Sequence, residues 1–423
     1  MDPFKFISTT APCGVPVHVR TVRTPQTKGW LVIKILIHAG AYLDQIPGTA
    51  HFLEHMHGRG FRGHETAEDV QEVYNGLFTR TMCGYVFTEG TKFQAKIKIE
   101  SIWDALDCLH NIIFYPIFSQ DSFIMEKGVI GQELWKHLGN PINIKVTQQM
   151  LQDIYGDSIW SNLFITGGLP EDLSRISLDD LVAFKDQHYH LQNMEIIFAG
   201  DVGVKKACQY ADYFAKDAPT GEKSSRMPVM KDSWPAPSRR ELRISVSEKL
   251  GVSKSHIKSS LLGIRRPLPK LQNIEVLNIL GNIINELTFG LVRTELAGSY
   301  SITHKVSINF DHTAFRLSVV MRPDILEKVS SEVQKIFNDF RNTEGLRLLF
   351  ERKKQLSRNE YAMKDCNLLA VTEHAFLNLL LFDQGIATLA EIQEQIDLVT
   401  FEDVCELMEQ EIAPYAHWLY QTP

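Results

Sequence analysis

The sequence predicts an α+β protein of two homologous domains, each a mainly antiparallel sheet with a layer of helices. Three observations predict this fold class. Runs of apolar and β-branched residues alternate with stretches of helical periodicity, this succession occurs twice, and a segment with several prolines separates the two copies. With 423 residues, of which 44% are hydrophobic, the chain is long enough to form two cores. We therefore predict domains at residues 1–215 and 241–423, joined by a linker at residues 216–240.

The first copy begins with strand signals and continues mainly with helices. Apolar and β-branched runs predict strands at residues 15–22, 29–37, 93–99 and 193–200. Apolar residues at three- and four-residue spacing, with capping residues such as Thr66 and Ser177, predict helices at residues 66–74, 102–114, 119–138, 142–155 and 177–189. One further helix is predicted after Gly48, between the second and third strands.

The second copy repeats this plan after a linker that contains four prolines. Strands are predicted at residues 241–247, 257–264, 300–310, 314–321 and 417–420, and helices at residues 274–287, 325–340, 346–363 and 368–381. The segment Ser177-Leu-Asp-Asp-Leu has its counterpart in Thr400-Phe-Glu-Asp-Val, and each introduces a helix near the end of its copy. The sequence therefore predicts an internal duplication of about 200 residues.

Composition excludes several classes of protein. The net charge of -7 and the pI near 6.1 do not favour nucleic-acid binding. No apolar run approaches the ~18 residues of a membrane-spanning helix. The six cysteines form no Cys-x-x-Cys pair, which is typical of free thiols in a reducing compartment. We therefore predict a cytoplasmic protein that binds neither nucleic acid nor membrane.

The motif His51-Phe-Leu-Glu54-His55 indicates a metal site. In a helix, residues four apart project from the same face, so both imidazoles can reach one ion. Glu54 lies beside them, where its carboxylate can take a proton from a metal-activated water. Zinc accepts neutral imidazole ligands, and His-x-x-Glu-His is the inverzincin signature. The alternative is a helix with two incidental histidines. The counterpart helix at residues 274–287 has no histidine, so only the first copy is predicted to hold the metal.

A third ligand is expected, and two residues compete for this role. Glu126 and Glu133 are seven residues apart on one predicted helix. They share a face but lie roughly 10 Å apart along the helix axis, so only one of them can bind the metal. Residue chemistry alone leaves both open, since either could also be an acid on a solvated helix face.

Together, these segments resemble a known family. The motif at residues 51–56, the helix from Glu126 to Glu133, and His188-Tyr followed by Asp201 are similar to the insulysin, pitrilysin and mitochondrial-processing-peptidase family of inverzincin zinc metallopeptidases, in its short two-domain form. The resemblance covers nearly the whole chain. It implies one zinc per chain with His51, His55 and Glu133 as ligands. It also implies that Glu54 is the general base and that Glu126 orients or tunes the site.

A second motif strengthens the resemblance. The segment from Leu291 through Arg293 and Gly298 to Tyr300 is similar to the family's Leu-Arg-x-x-x-Gly-x-x-Tyr-Ser segment. In relatives, this arginine and tyrosine reach the scissile peptide from the half that holds no metal. Guanidinium and phenol groups are suitable donors to a developing oxyanion. The alternative is a surface arginine and a strand tyrosine. Residues 75–91 lack the family's Asn-Ala pair, so no substrate contact is assigned to them.

The resemblance implies a zinc-dependent metalloendopeptidase that hydrolyses short unstructured peptides or removes a leader peptide. Relatives enclose substrate between two bowl-shaped halves, and this chain corresponds to half of such a clamshell chamber. We therefore expect a homodimer, or a heterodimer with a related chain. The alternative is a non-catalytic binding or assembly subunit, which the complete motif disfavours. Structural roles are expected for the four other histidines considered, His57, His64, His188 and His190.

Overall fold

The computed structural model describes residues 2–78, 83–138, 141–156, 158–161, 166–224, 239–245, 247–248, 259–295, 299–363, 367–382 and 384–423. These residues form two compact units. Unit 1 consists of Met1–Gly139, Asn162–Pro228 and Lys364–Leu389, and unit 2 consists of Asn140–Ser161, Val229–Met363 and Ala390–Pro423. Most of the predicted linker, residues 225–238, lies outside the described residues.

Unit 1 contains a six-stranded sheet. Its strands are β1 (Ile7–Thr10), β2 (Pro16–Thr21), β3 (Trp30–Ile37), β4 (Cys83–Val86), β5 (Thr91–Lys98) and β6 (Met194–Gly200). They are ordered β1-β2-β6-β3-β5-β4, so β4 is an edge strand. Only β2 and β6 pair in parallel, and the other neighbours are antiparallel. The central strand β3 is almost fully buried because both faces of the sheet are covered.

The first-half helices of this unit surround the sheet. They are α1 (Thr49–Met56), α2 (Ala67–Leu77), α3 (Ile102–Phe114), α4 (Gln120–Leu138), α6 (Pro170–Arg175), α7 (Leu178–His188) and α8 (Val204–Phe214). Helix α5 (Pro141–Tyr155) belongs to unit 2, and α12 (Leu368–Leu381), from the second half of the sequence, belongs to unit 1. Each unit therefore includes one helix from the other half of the chain.

Unit 2 contains a five-stranded sheet. Its strands are β7 (Arg240–Ser245), β8 (Ser260–Pro269), β9 (Ser299–Ile308), β10 (His312–Met321) and β11 (His417–Thr422), in the order β7-β11-β8-β10-β9. Besides α5, its helices are α9 (Glu275–Phe289), α10 (Leu326–Asn338), α11 (Leu346–Ala362), α13 (Leu389–Leu398) and α14 (Phe401–Glu406). Tyr155 at the end of α5 bonds to His312 Nε2 at 3.1 Å, which ties this helix to β10.

The two sheets share a five-strand arrangement, to which unit 1 adds β1 at one edge. β2 pairs in parallel with β6, and β7 pairs in parallel with β11. Three antiparallel strands follow, in the orders β3-β5-β4 and β8-β10-β9. Along the chain, α9 follows β8 and precedes β9, just as α1 follows β3 and precedes β4. The predicted fold class, two homologous domains with mainly antiparallel sheets and helical layers, is therefore confirmed.

The two segments predicted to correspond, which begin at Ser177 and Thr400, each form the start of a helix. Ser177 caps α7 by accepting from the Asp180 N–H, and the Asp180 carboxylate accepts from the Ser177 N–H. Thr400 and Asp403 form the same pair of bonds at the start of α14. Reciprocal capping satisfies backbone groups that an unfinished first turn leaves open. The similarity between the copies therefore extends to individual hydrogen bonds.

Several elements were not predicted. They are β1, β4, α6, α8 and α13. Strands of four residues, such as β1 and β4, are too short to show an alternating pattern that differs from chance. Among the described residues, no helix has the length and apolarity needed to cross a membrane.

Helix α12 is attached to the sheet of unit 1 by a shared carboxylate. Val32 and Ala199 of the sheet pack against Leu368 in a buried cluster. Close by, Glu373 of α12 pairs with Lys34, and Lys92 Nζ lies 2.9 Å from both Glu373 oxygens. The Lys34 side chain is only 1% exposed, so its charge depends on this carboxylate.

We predict that Glu373→Gln strongly destabilises unit 1, because it leaves two ammonium groups without their carboxylate. Loss of one partner of a buried pair costs about 3–5 kcal/mol, and the lower end applies here because Glu373 is partly exposed. Lys34→Met is the matched control: it should cost much less, since Lys92 and Glu373 remain paired. Chemical denaturation compares the two. Equal stability of Glu373→Gln and wild type would contradict the assignment.

The contacts of Glu373 with Lys34 and Lys92 also make the stability of the fold depend on pH. Burial raises the pKa of the Glu373 carboxyl, but the Lys34 and Lys92 ammonium groups outweigh it and hold the pKa below its usual value. A depressed pKa stabilises the fold at neutral pH, and this contribution is lost as the pH falls below about 4.3, the ordinary glutamate value. The difference in stability between wild type and Glu373→Gln should therefore shrink in acid.

Candidate metal centre

Two residues, Gly48 and Asp44, determine where helix α1 begins. Gly48 precedes the helix with φ of 97°, a left-handed conformation that favours glycine. It has no side chain to cap the first turn. Asp44 supplies the cap instead, since its carboxylate accepts from the Gly48 N–H at 2.8 Å and the Ala50 N–H at 2.9 Å. The start of the helix is therefore held by a residue four positions before it.

A glycine pair from a distant segment packs against this helix start. A Cβ atom on Gly168 would lie 2.3 Å from the Pro47 carbonyl oxygen, and one on Gly48 would lie 2.4 Å from the Gly167 carbonyl oxygen. A Cβ on Gly167 would lie 3.0 Å from His51 Nδ1. The absence of side chains at these positions allows the segment to approach the first histidine of the motif closely.

Helices α1 and α4 pack through an aromatic pair and bring three polar side chains together. Phe52 of α1 stacks on Phe123 of α4 with ring centroids 4.7 Å apart. On the neighbouring face, one ligand atom from each of His51, His55 and Glu133 lies within 4.8 Å of the other two. Glu133 Oε2 is 3.8 Å from His51 Nε2 and 3.2 Å from His55 Nε2. All three side chains are partly exposed, so water can reach them.

The two distances from Glu133 Oε2 fit a tetrahedral metal. Zinc bonds of about 2.0–2.2 Å separate two ligand atoms of a tetrahedral site by roughly 3.3–3.5 Å. The two distances from Glu133 Oε2 to the histidine nitrogens are within a few tenths of an ångström of that range. Two imidazoles and one carboxylate are also a ligand set typical of catalytic zinc, with a fourth position left for water.

Glu126 lies behind the cluster. Its side chain is buried, and its Oε2 atom is 2.9 Å from His55 Nδ1. An ionised Glu126 carboxylate can only accept, so His55 donates to it from Nδ1, which leaves Nε2 as the ring nitrogen available to a metal beside Glu133. Glu126 also forms an ion pair with Arg59, on the turn that follows α1. Of the two competing glutamates, Glu133 is thus the one beside both Nε2 atoms.

Glu54 lies under the edge strand β4. A Cβ atom on Gly84 would lie 2.3 Å from Glu54 Oε1, so this strand passes directly over the carboxylate. Burial raises the pKa of the Glu54 carboxyl; the Glu133 carboxylate acts in the same direction, and the His55 ring opposes both. A bound dication would act against this rise, because positive charge favours the ionised carboxylate.

The second predicted pair belongs to unit 2. Arg293 lies in a wide helical turn, Gly290–Glu295, at the end of α9, where it is exposed and its guanidinium lies 5.3 Å from the Phe289 ring centroid. Such wide turns are frequent at functional sites. Tyr300 lies in β9, and its side chain is outside the described residues. The roles of both residues stay predictions.

The four histidines for which structural roles were expected are not in the cluster. His57 is buried and bonds through Nδ1 to the Leu53 carbonyl oxygen at 2.6 Å, and burial lowers its pKa to about 4. His64 bonds through its backbone to Phe61, and His188 Nδ1 lies 3.0 Å from Ser224 Oγ. His190 is buried beside Gly221.

Sequence reasoning missed three residues around the cluster: Asp44, Arg59 and Gly84. Asp44 gave no signal, because it lies four residues before Gly48 and not at the N-cap position itself, where aspartate is common. Arg59 and Gly84 gave none, because their contacts with Glu126 and Glu54 depend on how distant segments pack.

Two family models match the chain. The family model "Insulinase (Peptidase family M16)" matches residues 21–162, and the model "Peptidase M16 inactive domain" matches residues 175–355. An uncharacterized zinc protease of Rickettsia bellii is 22% identical over 287 residues, which are 68% of this chain and 66% of the relative. The match thus spans slightly less than two thirds of that relative's own length.

Solved structures share the fold over the whole chain. A protease from Helicobacter pylori superposes with a TM-score of 0.83 at 15% identity, covering 99% of this chain and 100% of the other. The periplasmic protease PqqL from Escherichia coli superposes with a TM-score of 0.78 at 16% identity, covering 99% of this chain but 47% of the other. This chain is therefore similar to about half of the longer protease.

We predict that the chain binds one zinc ion and that His55→Gln removes this binding. A ligand at 100 times its Kd stabilises the folded state by about 2.7 kcal/mol, which raises the thermal midpoint. His64→Gln is the matched control, because it also removes one imidazole but lies outside the cluster. Titration calorimetry and thermal unfolding measure both variants. Zinc binding by His55→Gln with wild-type stoichiometry and affinity would disprove this site.

Proposed function

The chain belongs to the insulinase family of peptidases, family M16, and we propose that it is a zinc-dependent endopeptidase. The observation that supports this most directly is the cluster of His51, His55 and Glu133, with ligand atoms within 4.8 Å of one another. Glu54 lies between the two histidines in sequence and against the backbone of Gly84 in space. A ligand set with an adjacent carboxylate is what hydrolysis of a peptide bond by an activated water needs.

The residues of the centre divide the chemistry between them. Zinc, when bound, would lower the pKa of water and polarise the peptide carbonyl. Glu54 accepts the proton of the attacking water and then delivers it to the leaving amine, so it acts first as general base and then as general acid. Glu126 keeps the His55 ring in the tautomer that offers Nε2 to the metal. In this proposal, Arg293 and Tyr300 donate hydrogen bonds to the oxyanion of the tetrahedral intermediate.

We predict that Glu54→Gln retains zinc but loses peptide hydrolysis, because an amide cannot accept the proton of water. General-base loss typically costs 10²–10⁴-fold in rate. The measurement is cleavage of unstructured peptides of about 10–40 residues, with zinc content determined on the same samples. Short unstructured peptides are used because they are the proposed class of substrate.

Glu72→Gln is the control, since it makes the same chemical change on the exposed face of α2. It should cleave like wild type. Wild-type cleavage by Glu54→Gln would refute the role of Glu54, and cleavage that resists a chelator would refute the metal mechanism.

The partner is proposed to be a second chain of the same fold. This chain matches 47% of the longer protease PqqL, so two chains of this size would supply about as much structure as PqqL has. A homodimer would contain two zinc centres and two Arg293–Tyr300 pairs, and each active site would combine groups from both subunits. A related but different chain could take the second place.

We predict that mixing Glu54→Gln chains with Arg293→Ala chains restores cleavage if subunits share active sites. Each variant alone lacks one group in both sites, whereas a mixed dimer has one site with every group intact. Activity per mixed dimer should then approach half that of wild type. Failure to recover activity in mixtures that do exchange subunits would argue against shared sites.

The alternative of a non-catalytic subunit is not favoured. Such a subunit does not need a carboxylate beside its metal ligands, yet here Glu54 is kept and enclosed under β4. The physiological peptide is proposed only by class, as a short unstructured chain or a leader segment.

A further inference from the structure

Arg59 contacts Glu126, the carboxylate behind the metal ligand His55, and is not itself one of the three potential ligands. It follows α1 on a turn closed by two backbone hydrogen bonds, from the Gly58 N–H to the His55 carbonyl oxygen and from the Arg59 N–H to that of Met56. This turn directs the guanidinium back towards α4, where it forms an ion pair with Glu126. The Arg59 side chain is 25% exposed, whereas that of Glu126 is 3% exposed.

The two oxygens of Glu126 have different partners. Oε1 faces the Arg59 guanidinium, and Oε2 accepts from His55 Nδ1 at 2.9 Å. A carboxylate bonded through both oxygens cannot rotate without losing one of the bonds. Arg59 therefore determines where the oxygen that contacts His55 lies.

The neighbouring cation does not replace Arg59. Lys127 follows Glu126 in sequence, but its ammonium bonds to the carbonyl oxygens of Ser174 and Ile176 at 3.0 and 3.1 Å. In the part of the chain that the structure describes, the ion-pair partners of Glu126 are His55 and Arg59.

We propose that Arg59 is a positioning residue of the metal centre: by holding the Glu126 carboxylate against His55 Nδ1, it raises the affinity of the site for zinc. The chain of contacts runs from Arg59 through Glu126 and His55 to the metal position. With Nδ1 bonded to Glu126, His55 Nε2 lies 3.2 Å from Glu133 Oε2. This inference rests on the proposed zinc site and adds to it a residue that no ligand pattern reveals.

The test is the zinc affinity of four proteins: Arg59→Met, Arg59→Lys, Arg62→Met and wild type, measured by competition with a chromogenic chelator. Loss of a group behind the ligands typically weakens metal binding 10–100-fold. We expect this loss for Arg59→Met, and a smaller loss for Arg59→Lys, which keeps the charge. Arg62→Met removes the same charge from the same loop, where Arg62 lies over the Tyr115 ring, and should bind zinc like wild type.

A second measurement separates positioning from a general effect on folding. In a Glu126→Gln background, the change Arg59→Met should alter zinc affinity less than twofold, because the carboxylate that Arg59 orients is already gone. Arg59→Met with wild-type affinity, or losses that multiply independently in the double variant, would overturn the proposal. If wild type itself binds no zinc, the proposed function fails instead, so the two failures are distinguishable.

Discussion

The packing of α1 against α4 is the contact on which the candidate metal centre depends. An isolated helix of eight residues is unstable in water, so α1 exists only because it is held in place. Phe52, Leu53 and Met56 bury its apolar side, and Phe52 stacks on Phe123 of α4. This contact positions two histidines on one helix beside a glutamate on the other. Neither helix carries a complete ligand set by itself.

The fold is duplicated, but among the described residues only the first copy holds such a cluster of potential metal ligands. The two sheets share a five-strand arrangement, and in chain order α9 occupies in the second copy the place of α1 in the first. In α9, however, the buried side chains are largely apolar, including Leu277, Leu280 and Ile284, and the helix contains no histidine. The second copy thus has the same arrangement of strands and helix, but its helix carries no potential metal ligand of the histidine type. Its candidate contribution to chemistry, Arg293, lies in the wide turn that ends this helix.

Much of this arrangement could be predicted from the sequence, because its signals are local. The i, i+4 spacing of His51 and His55 requires only a helix, and the reciprocal caps at Ser177 and Thr400 lie within four residues. Residues such as Arg59 and Gly84 could not be predicted, since their partners are distant in sequence. The sequence also did not predict that α5 packs in unit 2 and α12 in unit 1. Periodicity shows which face of a helix is apolar but not which sheet covers it.

The proposed metal centre requires one ion at a defined position. The most direct test is X-ray diffraction from zinc-loaded crystals, with anomalous data collected on both sides of the zinc absorption edge. We expect one strong anomalous peak per chain, about 2.0–2.2 Å from His51 Nε2, His55 Nε2 and a Glu133 oxygen. A peak elsewhere on the chain, or an ion bound through Glu126 and not Glu133, would contradict this expectation.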